Sequence, residues 1–355
     1  MRFSFLFLTF VLFACFAVNT PAQSGRTKPS PTPTPNRSIS GPSVLTSATP
    51  SPKPIATTTP TTKIDDDIIK VDSVLVPIPV SVTDERGRAV GTLKLTDFEL
   101  KVDGKIAEIA ELSRSDSPIR LAMLFDNSSS VLIAREFEKD AAVRFFRRVI
   151  RPDRDMAALF SVADYTRLEQ GLTRDVSQLT QAIELFPEPK GATALLDGII
   201  EVAEYLKAAS GRRVLVIVSD GEDTYSDMKT TLEGVIRSLQ VSDVQVYVVK
   251  TKEFENFKRT GQRGGNANIR ALTAERRMID IAAATGGAVY SPIDEEEMKD
   301  AFDRISAELS QQYILSYYPE DEADKRGEFR PISITVKGRQ NLTIRTRKGY
   351  YVGKK

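Results

Sequence analysis

Asp126, Ser128 and Ser130, in the stretch LFDNSSSV, place three oxygen-bearing side chains within five positions. Thr193 follows Gly191 and Ala192 at the start of GATALLDGI, and Asp220 closes the apolar run in VLVIVSDGED. Brought together, these residues supply two carboxylates and three hydroxyls, a set of hard oxygen donors suited to a divalent cation. Two negative charges only neutralise such an ion, and hydroxyls add none. A cation held this way is short of anionic oxygen and has affinity for one more carboxylate from outside. Few protein ligands with water completing the shell suit Mg²⁺, with Mn²⁺ and Ca²⁺ as alternatives, because Ca²⁺ takes about six to eight oxygens. Each residue also has a plainer reading. Serine, threonine and aspartate cap helices, and an aspartate at a strand end forms turns. The metal reading belongs to the set, not to any member.

The set needs elements that aim it at one place. Residues 121–125, LAMLF, read as a buried strand, and RVLVIVS is continuously apolar, as a strand covered on both faces should be. Further strands are expected at MAALFSV, VQVYVVK and AVY. Helices are expected over 134–150, 176–186, 194–209, 229–239, 274–284 and 294–311, where apolar residues recur at helical spacing. Alternating strand and helix predicts an α/β, doubly wound, mostly parallel sheet. Ligands gather beyond the carboxyl ends of such strands, where the strand order reverses. Asp126 and Asp220 both sit at such ends, and Thr193 starts the helix leading into the second. Glu222 and Asp223 beside them read as solvated or as supporting residues. Residues 250–270, KTKEFENFKRTGQRGGNANIR, read as a polar loop on the rim of the crevice, whose basic side chains would help hold an acidic partner.

β-Strands flank this unit. VLVPIPVSV alternates with period two, and Pro77 and Pro79 predict an edge strand, where a missing N–H is tolerated. FELKV and KIAEI, joined by Asp103-Gly104, predict a hairpin. YILSYY, ISITV and LTIRT supply more strands at the carboxyl end. Neither group covers a core alone, so together they predict one β-sandwich, split in sequence, with the α/β unit inserted into it.

Composition removes several function classes. With 49 basic and 48 acidic residues among 355, no global nucleic-acid or membrane partner follows. Histidine is absent, which excludes Ser-His-Asp and Cys-His catalysis and imidazole-ligated zinc within this chain. The one cysteine, Cys15, excludes an internal disulfide. Residues 1–22 read as an export signal, with a charged start at Arg2, an apolar run too short to span a bilayer, and a small-residue exit at Thr20-Pro21-Ala22. The mature chain would then carry no membrane span. LFAC offers Cys15 as an alternative lipid-attachment point. Residues 23–63 are a Ser/Thr/Pro-rich linker with little to bury.

In its order and strand-helix context, the Asp126-x-Ser128-x-Ser130, Thr193 and Asp220 set resembles the metal-ion-dependent adhesion site of von Willebrand factor A domains. Ser129 stands where that family often has glycine. The flanks, with VSVTDERGRAVGTLKLTDFELKVDGK and FRPISITVK, resemble bacterial exported proteins that carry this domain between β segments. The resemblance implies a domain over 118–311, with halves of the sandwich at 64–117 and 312–355. It implies a non-enzymatic binding module, periplasmic, in the cell envelope or secreted, whose cation is completed by the Asp or Glu of a protein partner. The alternatives are a Mg²⁺-dependent hydrolase such as a phosphatase, with Asp126 as nucleophile, and a structural envelope scaffold using another surface. The hydrolase lacks a second aspartate two residues after Asp126 and a Gly-rich phosphate loop.

Overall fold

A computed structural model describes residues 75–114, 117–263, 268–319 and 325–352. The expected export signal, Cys15 and the linker at 23–63 lie outside the described residues. In chain order, four strands come first: β1 (Val76–Thr83), β2 (Phe98–Val102), β3 (Lys105–Ala107) and β4 (Glu111–Arg114). The α/β unit follows with β5 (Ile119–Asp126), α1 (Arg135–Val149), β6 (Met156–Val162), β7 (Thr166–Thr173), α2 (Val176–Glu184) and α3 (Leu195–Lys207). It continues through β8 (Arg212–Ser219), α4 (Leu232–Val241), β9 (Val244–Lys250), α5 (Lys252–Thr260), α6 (Ile269–Thr285), β10 (Val289–Tyr290) and α7 (Glu295–Gln311). The chain returns through β11 (Tyr313–Tyr317), β12 (Phe329–Val336), β13 (Thr343–Thr346) and β14 (Gly349–Tyr351).

The α/β unit is built on one sheet in the order β10-β9-β8-β5-β6-β7. Every pairing in it is parallel except β6 with β7. Side chains of β5 alternate between its two faces, as a strand's must. Leu121, Met123 and Phe125 pack with residues of α1 and α7, while Ala122 and Leu124 pack with α3. Burial on both faces is why these strands read as unbroken apolar runs. The chain moves from β5 to β6 on one side and later to β8 on the other, so the order reverses between β5 and β8.

The flanking strands form two four-stranded sheets, β13-β1-β11-β4 and β14-β12-β2-β3. Each sheet mixes strands from both ends of the chain, so the α/β unit is inserted into a split sandwich. One core joins the two halves, with Ile78, Val80, Phe98 and Leu100 against Tyr313, Leu315, Ile332 and Ile334.

Two expectations need correction, and one strand adds to those expected. First, β1 is not an edge strand, since it lies between β13 and β11. Its prolines are tolerated because β13 pairs only with Val80 to Thr83 and leaves the proline half open on that side. The Pro79 and Pro77 carbonyls there accept instead from the Thr346 hydroxyl at 2.9 Å and the Arg347 guanidinium at 2.7 Å. Second, residues 250–270 are not simply a loop. They contain α5, which buries Phe254, places Glu253 and Glu255 in its first turn and Lys258 and Arg259 in its last, and stops at Gly261 in the left-handed region. The start of α6 also falls inside that stretch, capped by the Asn268 side chain, which accepts from the Ala271 N–H. The added strand is β7.

Candidate metal centre

Asp126 is the last residue of β5, and Asp220 follows β8, its direct parallel neighbour. Both carboxylates are buried, at 0% and 2% exposure. The Asp126 carboxyl is held by two donors. Its Oδ1 accepts from the Ser128 N–H at 2.9 Å, and its Oδ2 accepts from the Ser219 hydroxyl at 2.6 Å. These bonds favour its ionised form, yet burial and then the neighbouring Asp220 carboxylate push its pKa up to about 6. On Asp220, Oδ1 accepts from the Glu222 N–H at 2.9 Å. Its Oδ2 is buried and has no hydrogen-bond partner among the described residues. The nearest cation to that oxygen is Lys252, at 3.7 Å, whose ammonium lies closer to Glu222 at 2.9 Å. Burial works against the Lys252 charge, but Glu222 and Asp220 outweigh it and raise its pKa.

Three loops meet here. Residues 127–131 carry the two serines, whose hydroxyls lie 2.9 Å apart. This loop is anchored from below by Arg135, which donates to the Asp126 carbonyl at 3.1 Å and to the Asn127 side chain, and stacks on the Phe186 ring at 4.9 Å. The loop before α3 is tied to it by Lys190 N–H donating to the Asn127 carbonyl at 2.9 Å and by the Ser129 hydroxyl donating to the Gly191 carbonyl at 3.3 Å. Gly191 has φ of +85°, and a Cβ there would lie 2.7 Å from Asp164 Oδ1, so only glycine fits this turn. The third loop closes on the second: the Thr193 N–H donates to the Thr224 hydroxyl at 3.0 Å, and the Thr193 carbonyl accepts from Thr224 and Tyr225. Thr193 is itself buried. Gly221, with φ of +82°, turns the chain directly after Asp220.

Asp126, Ser128, Ser130, Thr193 and Asp220 thus lie on three loops bonded to one another at the carboxyl ends of β5 and β8. The donor set fits a divalent cation. Two buried carboxylates are near enough for one to raise the pKa of the other, and one of their oxygens has no hydrogen-bond donor among the described residues, which is costly without a cation. Among the described residues there is no cluster of three or more Asp, Glu, His or Cys side chains able to hold a metal, so any ion here relies on hydroxyls and water. Sequence reasoning missed Ser219, which holds Asp126, and Arg135 and Lys252. Ser219 sits one residue before Asp220 and was legible only as the end of a strand. Asp223 turns out to support the site: its carboxylate accepts from the Leu196 N–H at 3.3 Å and the Ser226 hydroxyl at 2.6 Å, fixing the start of α3.

The von Willebrand factor type A domain family model matches residues 121–304. No curated protein matches the chain. Among solved structures, the chain is similar to the PilB minor pilin from Streptococcus sanguinis at 13% identity and a TM-score of 0.42, over 55% of this chain and 62% of that one. The chain therefore spans less than two thirds of that pilin's length. It is also similar to an aerotolerance-related membrane protein from Bacteroides fragilis (18% identity, TM-score 0.40, over 54% of this chain and 98% of that one). A third likeness is to the vWF domain of the type V pili tip protein Mfa5 from Porphyromonas gingivalis (12%, 0.41, 54% and 94%).

Proposed function

Because this chain belongs to the von Willebrand factor type A domain family, we propose that it is a non-enzymatic protein-binding module that works through a divalent cation. In this reading Asp126, Ser128, Ser130, Thr193 and Asp220 hold the ion, Mg²⁺ first and Mn²⁺ or Ca²⁺ as alternatives. A partner's Asp or Glu then completes its coordination. The observation that carries the reading is the pair of buried carboxylates at the strand-order reversal, with Asp220 Oδ2 left without a partner among the described residues. The partner enters because two protein carboxylates only neutralise the ion. Residues 1–22 support export to the periplasm, cell envelope or medium. Among the described residues no helix is long and apolar enough to cross a membrane. Capture of a partner from envelope extract on immobilised protein tests the proposal. Capture should require Mg²⁺ and vanish in EDTA, and equal capture in both would overturn it.

Two further results are expected. With its pKa pushed up to about 6, Asp126 carries a proton below that pH, and the proton competes with the ion. Mg²⁺ affinity by titration calorimetry should hold above pH 7 and fall about tenfold per pH unit well below pH 6. A flat profile between pH 7 and 5 would remove Asp126 from the ligand set. Lys252 is a tethered charge 3.7 Å from Asp220, so it repels an arriving dication. Lys252→Met should therefore tighten Mg²⁺ binding several-fold. Weaker binding would mean that the lysine instead holds Glu222 and Asp220 in place.

A further inference from the structure

The opposite end of the sheet carries a second feature. At the amino ends of β8 and β9, where the α/β unit meets β1 and β11 of the sandwich, lies a cavity of about 250 Å³. Its walls come from both parts of the molecule. Arg212, Arg213 and Asp243 belong to the α/β unit, while Pro77, Pro79 and Arg347 belong to the sandwich. The volume falls just below the usual range of small-molecule sites.

The charge on these walls is unbalanced. Arg347 donates to Asp243 at 2.6 Å and to the Pro77 carbonyl at 2.7 Å. The other two guanidiniums have only neutral acceptors. Arg212 donates to the Leu309 carbonyl at 3.1 Å and to the Gln312 side chain, and Arg213 donates to the Ala209 and Ser242 carbonyls, each at 2.9 Å. Neither has a carboxylate within ion-pair distance among the described residues. The nearby Asp155 is already paired with Arg151 at 2.6 Å. Three cations thus face one anion. The Nε atoms of Arg212 and Arg347 are buried with no hydrogen-bond partner among the described residues. Burial without a counter-ion pushes the Arg212 pKa down to about 10. Uncompensated buried charge and orphaned N–H donors are both costly, and one anion relieves both. Leu239, Val244 and Ile314 give the wall an apolar part, beside the neutral polar Gln240, Gln245 and Thr285.

We infer that this junction is a binding site for a small organic carboxylate, its anionic head against the Arg212, Arg213 and Arg347 guanidiniums and its apolar body against Leu239 and Ile314. Guanidiniums match carboxylates in shape and charge, and the apolar wall selects an acid with a hydrocarbon body over a bare oxyanion. Such a ligand touches both the sandwich and the α/β unit, so it would also brace one against the other.

The test uses the full chain in EDTA, so that no metal contributes. Benzoate is the probe, with succinate and inorganic phosphate as acids lacking the apolar body. Benzoate is expected to raise the melting temperature saturably and to shift the backbone amides of Gly211 and Gln245, with the other two probes at least several-fold weaker. Arg213→Gln should weaken benzoate binding about tenfold, the loss of one charged hydrogen-bonding partner. Since Arg213 also holds two backbone carbonyls, the amide shifts in the unmodified chain are read independently of that variant. No saturable response to benzoate at about 10 mM, a concentration that detects even feeble affinity, would overturn the inference. So would shifts mapping elsewhere, or phosphate binding as well as benzoate.

Discussion

Asp126→Asn is expected to abolish the Mg²⁺-induced rise in melting temperature while leaving the metal-free protein at least as stable as the parent. The two halves of this result have one cause. Asp126 is fully buried beside Asp220, and burial and that neighbour push its carboxyl up to about 6 from an ordinary 3.8. In the metal-free fold the side chain therefore keeps its proton to a higher pH than in the unfolded chain. Stability is lost as pH rises from 3.8 through about 6, by roughly 3 kcal/mol in full. A neutral asparagine is free of that loss. It retains an oxygen for one of the donors, Ser128 N–H or Ser219 hydroxyl, and loses the other acceptor, which offsets part of the gain. Toward Mg²⁺ the change runs the other way. One of two charges that neutralise the ion is gone, and affinity should fall at least a hundredfold, or about 2.7 kcal/mol. Calorimetric titration and thermal melts with and without Mg²⁺ at pH 7.5 separate the two effects. A variant that still shows the Mg²⁺ shift would remove Asp126 from the site. A variant that melts far lower without metal would make the carboxylate structural.

How much of this was legible in the sequence depends on where each element gets its stability. β5 and β8 are covered on both faces, so LAMLF and RVLVIVS announce themselves by composition alone. The spacing of Asp126, Ser128 and Ser130 and the position of Asp220 at a strand end follow from those two strands. β7 gave no such signal. TRLEQGLT has one partner strand, two register irregularities against it and no fully buried residue, so neither alternation nor apolarity marks it. α5 was hidden for a different reason. Its nine residues include only two large apolar ones, Phe254 and Phe257, and its helical marks are the charges at its ends and Gly261. Reading Glu253, Glu255, Lys258 and Arg259 against the helix dipole would have found it. The supporting residues of the site are the least legible. Ser219 touches Asp126 across 93 positions and Glu222 meets Lys252 across 30, and no local pattern encodes such pairs. Arg135 is the informative exception. It sits at the first position of α1, where an arginine is unfavourable to the helix dipole, and that local misfit marks a residue placed for a tertiary role, here gripping the loop of Asp126.

That grip bears on the second large effect, which concerns Glu138, one turn further along α1. Glu138 is fully buried, and neither of its carboxyl oxygens has a hydrogen-bond partner among the described residues. Arg135 is the obvious counter-ion. However, it is turned toward the Asp126 carbonyl, Asn127 and the Phe186 ring, and no Arg135–Glu138 ion pair forms among the described residues. Burial therefore dominates and, with Asp126 and Glu255 adding to it and Arg135 opposing, pushes the Glu138 carboxyl up to about 8. In the unfolded chain it titrates near 4.5. Between these values the folded protein holds a proton that the unfolded chain has released, so stability falls as pH rises from 4.5 through about 8. The full loss is of order 5 kcal/mol. Glu138→Gln carries no such proton. It should match the parent at a pH well below 4.5, where both side chains are neutral in folded and unfolded chains alike, and melt progressively higher than the parent toward pH 9. The opposite result is equally definite. Were Glu138 ionised and paired with Arg135 in the fold, glutamine would strand a buried guanidinium and cost roughly 3–5 kcal/mol at neutral pH. Denaturant unfolding of the two proteins from pH 5 to 9 decides between a neutral acid that leaves Arg135 free for the loop of Asp126 and an ion pair that competes for it.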